Sequence, residues 1–130
     1  MNHAALEAYG STNLHSGLTD APPEKLIQML LDGSTTRLNS AVAAMQANEV
    51  ARKGELISKS ISILEYLKVI LDEESAPEFA ENLASLYDYM VSQLLRANVE
   101  NDPEPVREVV TLLAELRTGW SAVSKESFQK

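Results

Sequence analysis

Residues 77–98 read PEFAENLASLYDYMVSQLLRAN, and the spacing of their apolar side chains decides the fold class. Phe79, Leu83, Leu86, Tyr87, Met90, Leu94 and Ala97 recur every three or four positions, the period of a helix with one buried face. Ala80, Ala84, Val91 and Leu95 form a second row beside the first. A stripe that wide exceeds what one neighbour covers, so the spacing predicts a central helix in contact with at least two others.

The same period continues on both sides. Downstream, Asn98-Val99-Glu100-Asn101-Asp102-Pro103 is a turn cluster. Beyond it a helix is expected from Pro103 or Pro105 to about Ser124, with Val106, Val109, Val110, Leu113, Leu116, Trp120 and Val123 on one face. Upstream, Pro77 opens the central helix, with Ser75 or Ala76 as its cap and Glu78 in its first turn. A further helix is expected from about Val50 to Leu71, and it carries two stripes: Ile57, Ile61, Leu64, Leu67 and Leu71 in one, and Leu56, Ile63 and Ile70 at seven-residue spacing in the other. One stripe is enough for a four-helix bundle. The surplus either widens the core or floors an exposed groove for a partner helix.

The first long helix is announced by Ala21-Pro22-Pro23, since proline suits the first helical position and Glu24 favours the positive end of the helix dipole. Leu26, Ile27, Leu30, Leu31, Leu38, Ala41, Val42 and Met45 trace its buried face to about Ala47. Gly33 interrupts it, which is either tolerated or marks a close approach of another backbone, and Gly54 is placed to kink or fray the next helix. Asp32 reads as a solvated surface residue. Residues 1–21 are rich in turn formers and read as a mobile arm, with Leu6 and Tyr9 at helical spacing, while 125–130 read as a fraying tail. The expected fold is all-α: one domain, 1–130, holding an antiparallel up-down-up-down four-helix bundle over 22–124.

Composition agrees and excludes several functions. Aromatics are sparse, at 5%, and no run alternates as a half-buried strand does. With 19 acidic against 11 basic residues, the net charge of −8 speaks against nucleic acid and anionic membrane as partners. Cysteine is absent, which removes thiolate chemistry and Cys-ligated zinc and fits a reducing compartment. No secretion signal or membrane-length apolar run is present, so the expected location is cytoplasmic. The two histidines, His3 and His15, both fall in the arm, leaving the helices without ligands for di-iron or haem and without the base of a catalytic triad. No Gly-rich phosphate loop occurs, and the carboxylates Asp72, Glu73, Glu74, Glu78 and Glu81 sit at helix starts or in a turn. The reading is of a non-enzyme without cofactor or metal.

Two of these segments carry a resemblance. Pro23-Glu24-Lys25-Leu26-Ile27-Gln28-Met29-Leu30-Leu31-Asp32-Gly33 and Asn82-Leu83, Leu86-Tyr87-Asp88-Tyr89-Met90, Leu94, Ala97-Asn98 resemble the two signatures of the flagellin-specific export chaperones of bacteria, the FliS family. Ala8-Tyr9 in the arm, Ile57, Lys59, Ile63 and Leu64 in the second helix, and Leu116, Arg117 and Trp120 near the end match further family motifs in the same order. The likeness runs from about Ala8 to Trp120, with Leu31 where many relatives carry an aromatic and Ser75-Ala76-Pro77 in place of a glycine turn.

The resemblance implies a chaperone that binds the disordered C-terminal segment of flagellin, blocks premature polymerisation and delivers the client to the export gate protein of the flagellar type III machinery. It further implies that the arm, through Leu6 and Tyr9, covers part of the site in the free protein. The groove residues expected on this reading are Leu56, Ile63 and Ile70 with Leu83, Tyr87 and Met90, and Tyr9 at the edge. Ile63→Glu is then expected to silence binding and leave the fold intact. The alternative is a helical module that uses its spare stripe to form a homodimer.

Overall fold

Three of the four helices described open on a proline, where the missing N–H costs nothing. In the structure, a computed structural model that describes residues 22–71, 74 and 76–128, with side chains as far as 121, α1 spans Pro23–Gln46 and α2 Val50–Val69. α3 spans Pro77–Glu100 and α4 Pro103–Phe128. α1 packs on α2 and α4, and α3 packs on the same two, so consecutive antiparallel helices close into a ring. The arm 1–21, and Tyr9 with it, lies outside the described residues.

Asparagines make the two turns at one end of the bundle. At Asn48 φ is 58°, and the chain closes a Schellman turn in which the Glu49 N–H donates to Ala44 O at 2.9 Å and the Asn48 N–H to Met45 O at 3.2 Å. α3 ends in the same way at Asn101, φ 53°, with the Asp102 N–H on Ala97 O at 3.1 Å. Asp102 then caps α4, its Oδ1 accepting from the Glu104 N–H at 3.0 Å. Lys53 locks this end from α2: the residue is buried, yet its Nζ donates to Asn98 O at 3.0 Å and Asn101 Oδ1 at 3.1 Å, placing a cation at the negative end of α3.

The core is the inner face of all four helices: Leu30, Leu38 and Ala41 from α1, Ile57, Leu64 and Leu67 from α2, Met90 and Leu94 from α3, and Val106, Val109 and Leu113 from α4 are almost entirely enclosed. Each fully buried large aliphatic side chain contributes about 1.5–3 kcal/mol relative to exposure. Inside the core the hydroxyls of Ser34 on α1 and Ser60 on α2 meet, and the contact satisfies both. α1 packs most extensively on α2. Gly33, Ser34, Ala41 and Ala44 are small enough to let the backbones approach.

Several expected details differ. α1 and α2 run unbroken through Gly33 and Gly54, α2 stops at Val69 instead of Leu71, and α4 continues to Phe128, past Ser124. Phe79, read as part of the buried stripe of α3, is 66% exposed. Asp32 is exposed as expected but is not solitary: its Oδ1 accepts from Arg117 Nε at 3.0 Å across the α1–α4 seam. One turn further, Trp120 Nε1 donates to Glu24 O at 2.9 Å and ties the end of α4 to the start of α1.

Candidate functional site

Which edge of each helix faces which neighbour follows from the polar contacts. Ser60 meets Ser34 of α1, whereas Lys68 Nζ meets Asp88 Oδ1 of α3 at 2.8 Å, so the two edges of α2 are fixed. Leu56, Ile63 and Ile70 flank Ser60 by one turn before, one turn after and nearly three turns after, on the α1 side. The spare stripe of α2 therefore points at α1. Ile63 is only 2% exposed and belongs to the core, and Leu56 and Ile70 are partly exposed at its ends. The expectation that Ile63 lies on an outer face, free to take a charge without loss of stability, is corrected.

On α3, Tyr87 and Met90 are also core residues, and Leu83 is partly exposed. Burial pushes the Tyr87 phenol up to about 12, because the phenolate would sit in a dry interior. Two residues later, Tyr89 lies on the surface, and its Oη donates to Glu108 Oε1 at 2.9 Å and Oε2 at 3.0 Å. That hydrogen bond to a carboxylate, followed by desolvation and then by the negative charge of Glu108, raises its pKa as well. The structure thus does not assemble the predicted set as one open groove: Ile63, Tyr87 and Met90 are enclosed, while Leu56, Ile70 and Leu83 retain accessible surface.

What sequence reading missed is the apolar surface left on the two flanks of α3. On the α2 side, the Lys53–Asn98 and Lys68–Asp88 contacts set the register, which puts Gly54 level with Val99 and Ile61 level with Val91 and Leu95. Val99 is 85% exposed, Leu95 and Val50 are exposed beside it, and a Cβ at Gly54 would meet nothing within 4 Å. On the α4 side, Glu108 accepts from Tyr89 and from Gln93 Nε2 at 2.8 Å. Counting away from that clasp in opposite directions places Leu86 level with Leu112, Asn82 level with Glu115 and Phe79 level with Gly119. Gly119 likewise faces open space among the described residues. The signal was present in the sequence as surplus width of the α3 stripe, together with glycines on the adjoining helices.

No group of three or more His, Cys, Asp or Glu side chains is placed to hold a metal ion among the described residues, and none of their helices is long and apolar enough to cross a membrane. A filled bundle whose distinctive surface is apolar and runs along one helix is built as a protein-binding module. The family model for the flagellar protein FliS matches residues 5–127. The chain is 40% identical over 129 residues to the flagellar secretion chaperone FliS of Salmonella typhimurium, covering 98% of this chain and 96% of the relative. It is 39% identical over 120 residues to the flagellar secretion chaperone FliSB of Pseudomonas aeruginosa (92% and 95% covered), and 41% identical over 115 residues to FliS of Escherichia coli K12 (88% and 85% covered). The chain belongs to the FliS family, and with that membership it is a flagellar export chaperone, of a family that is not enzymatic.

Proposed function

We propose that this chaperone works in the cytoplasm, binds the disordered C-terminal segment of flagellin, prevents its premature polymerisation and carries it to the export gate protein. The observation that supports this reading best is the pair of apolar strips along α3, one beside α2 and one beside α4. A client that lies in one strip and crosses to the other collects many modest apolar contacts, which together offset the entropy lost when a disordered chain is ordered. Leu83 adds accessible surface on α3, while Leu56 and Ile70 are partly exposed on the α1 side of α2 and Ile63, Tyr87 and Met90 act from beneath by fixing the helices. Tyr9, on the arm, serves as a displaceable cover whose closed fraction lowers the apparent affinity. The net charge of −8 works against self-association through the same strips.

Calorimetric titration with a peptide of about the last fifty residues of flagellin tests the reading. Equimolar, saturable binding with a negative heat-capacity change is expected, as for coupled folding and binding. Absence of heat and of co-elution at concentrations of some tens of micromolar removes the flagellin client from the account. A dimer that persists under saturating peptide reassigns the strips to self-association.

A further inference from the structure

Lys53 is only 6% exposed, although a lysine is normally left in water unless its ammonium is well bonded. Its recorded partners are neutral: Nζ donates to Asn98 O at 3.0 Å and to Asn101 Oδ1 at 3.1 Å. Both acceptors stand at the end of α3. The backbone itself passes over Asn98 O, because the Asp102 N–H that a longer helix would give it goes to Ala97 O, and residue 103 is a proline with no N–H. Asn101 is the left-handed residue that ends α3, and the next residue, Asp102, caps α4. One ammonium on α2 therefore grips the junction where α3 ends and α4 begins.

Stability alone does not call for a lysine here. An apolar side chain of similar length would fill the space without taking a charge out of water. What the ammonium adds is direction, since it fixes two acceptors of α3 at hydrogen-bond distance from α2, whereas apolar burial has no preferred direction. The outer edge of this contact needs such a fix. Val50, Leu95 and Val99 are exposed, and a Cβ at Gly54 would meet nothing within 4 Å among the described residues, so side chains do not interlock along that edge. Further along the same two helices the tie is the Lys68–Asp88 ion pair, whose partners are both exposed, and such pairs hold weakly.

We propose that Lys53 is a positioning residue for client binding: by gripping Asn98 and Asn101 from α2, it sets the α2–α3 edge that carries Val50, Leu95 and Val99 before any client arrives. The assignment rests on the flagellin-client reading above and adds that part of the affinity resides in a residue acting from beneath the surface. Such preorganisation shows in the affinity, because a surface that is in place only part of the time binds more weakly in proportion to that fraction.

The test uses the full chain and the same C-terminal flagellin peptide. Lys53→Met keeps the apolar stem and removes the ammonium, and Asn101→Gly removes an acceptor while suiting the left-handed turn. Arg107→Met, which loses an equal charge from an ion pair within α4, is the control and should bind like wild type. Lys53→Met should melt within a few degrees of wild type yet bind roughly tenfold more weakly where both are folded, as when the edge is in place about a tenth of the time. In this free variant the Asp102 amide should exchange faster with solvent deuterium, and saturating peptide should restore its protection. Asn101→Gly should weaken binding in the same direction, and adding it to Lys53→Met should cost little more, because both break one contact. If Lys53→Met does not fold, Asn101→Gly decides by the same split between affinity and melting temperature. A much lower melting temperature with wild-type affinity in the folded protein makes the lysine a plain structural tie and overturns the assignment. Equal affinity for wild type, Lys53→Met and Asn101→Gly overturns it while the client reading stands, and losses that add in the double variant overturn the shared grip. Wild type failing to bind the peptide removes the client reading and this assignment together.

Discussion

The α1–α2 seam and the α3–α4 seam join helices of similar length by the same antiparallel geometry, yet they are filled differently. Between α1 and α2, small residues bring the backbones close, and the surplus stripe of α2 is absorbed, with Ile63 enclosed and the Ser34–Ser60 pair sealed in the interior. Between α3 and α4, a surface clasp holds the upper half, and below it Leu83, Leu86, Leu112 and Leu116 are only partly covered. One seam commits its apolar surface to stability and the other keeps some uncovered. A chaperone that carries a disordered client needs both, because a rigid half must hold the adhesive half in shape without a partner present.

Ile63→Glu tests this division most severely. A carboxylate at that buried position is taken out of water, and removal of the isoleucine also empties part of the core. A loss of at least about 3 kcal/mol is expected in urea titration, enough to unfold much of a marginally stable bundle. Wild-type stability with lost peptide binding would move Ile63 to the surface and erase the contrast between the seams.

The next largest effect marks the boundary between the inner and outer faces of α3. In the unfolded chain the Tyr87 phenol ionises near 10, and in the fold it holds its proton up to about 12. Within that window the unfolded state binds fewer protons, so stability is complete below pH 10 and falls as the pH rises toward 12, by about 2–3 kcal/mol in all. Tyr87→Phe should lose this part of the alkaline decline. If the difference between the two proteins stays flat from pH 9 to 12, the inner face of α3 is wetter than its 4% exposure at Tyr87 implies.

Much of this was legible in the sequence, for identifiable reasons. Period 3.6, three prolines at helix starts and two asparagines at helix ends specify the bundle and its turns within a few residues, because all are local signals. The site was less legible. Periodicity reports that a residue lies on the apolar side of its helix but not what stands opposite. Ile63 looked surplus because the closeness of α1, set by residues well before it in the chain, is not a local property. Phe79 looked buried because it continues the apolar stripe of α3, and periodicity does not report how far other helices cover it. In both cases the deciding feature was the cover supplied by other helices.

The buried serines offer a finer probe of the tight seam. Ser34→Ala removes one hydroxyl and strands the other in the core, which should cost about 1–2 kcal/mol, and Ser60→Ala should behave alike. The double alanine variant leaves no polar group stranded, so it should lose clearly less than the two singles combined. Additive losses in thermal or urea unfolding would show that the hydroxyls are hydrated, and that water enters the seam described as closed.

Gly54→Ala is expected to have the smallest effect, and it is a gain. Gly54 sits within an unbroken helix, on the α3 side of α2, and a Cβ there meets nothing within 4 Å. Alanine reduces the freedom of the unfolded chain and favours the helix, so stability should rise by about 0.4–1 kcal/mol, seen as an upward shift of a few degrees in Tm. The sign is the informative part. A loss would mean that α3 approaches α2 at this level as closely as α1 does lower down, in which case tight packing is a property of every seam of α2 and the apolar surface around Val99 is not held in reserve for a partner.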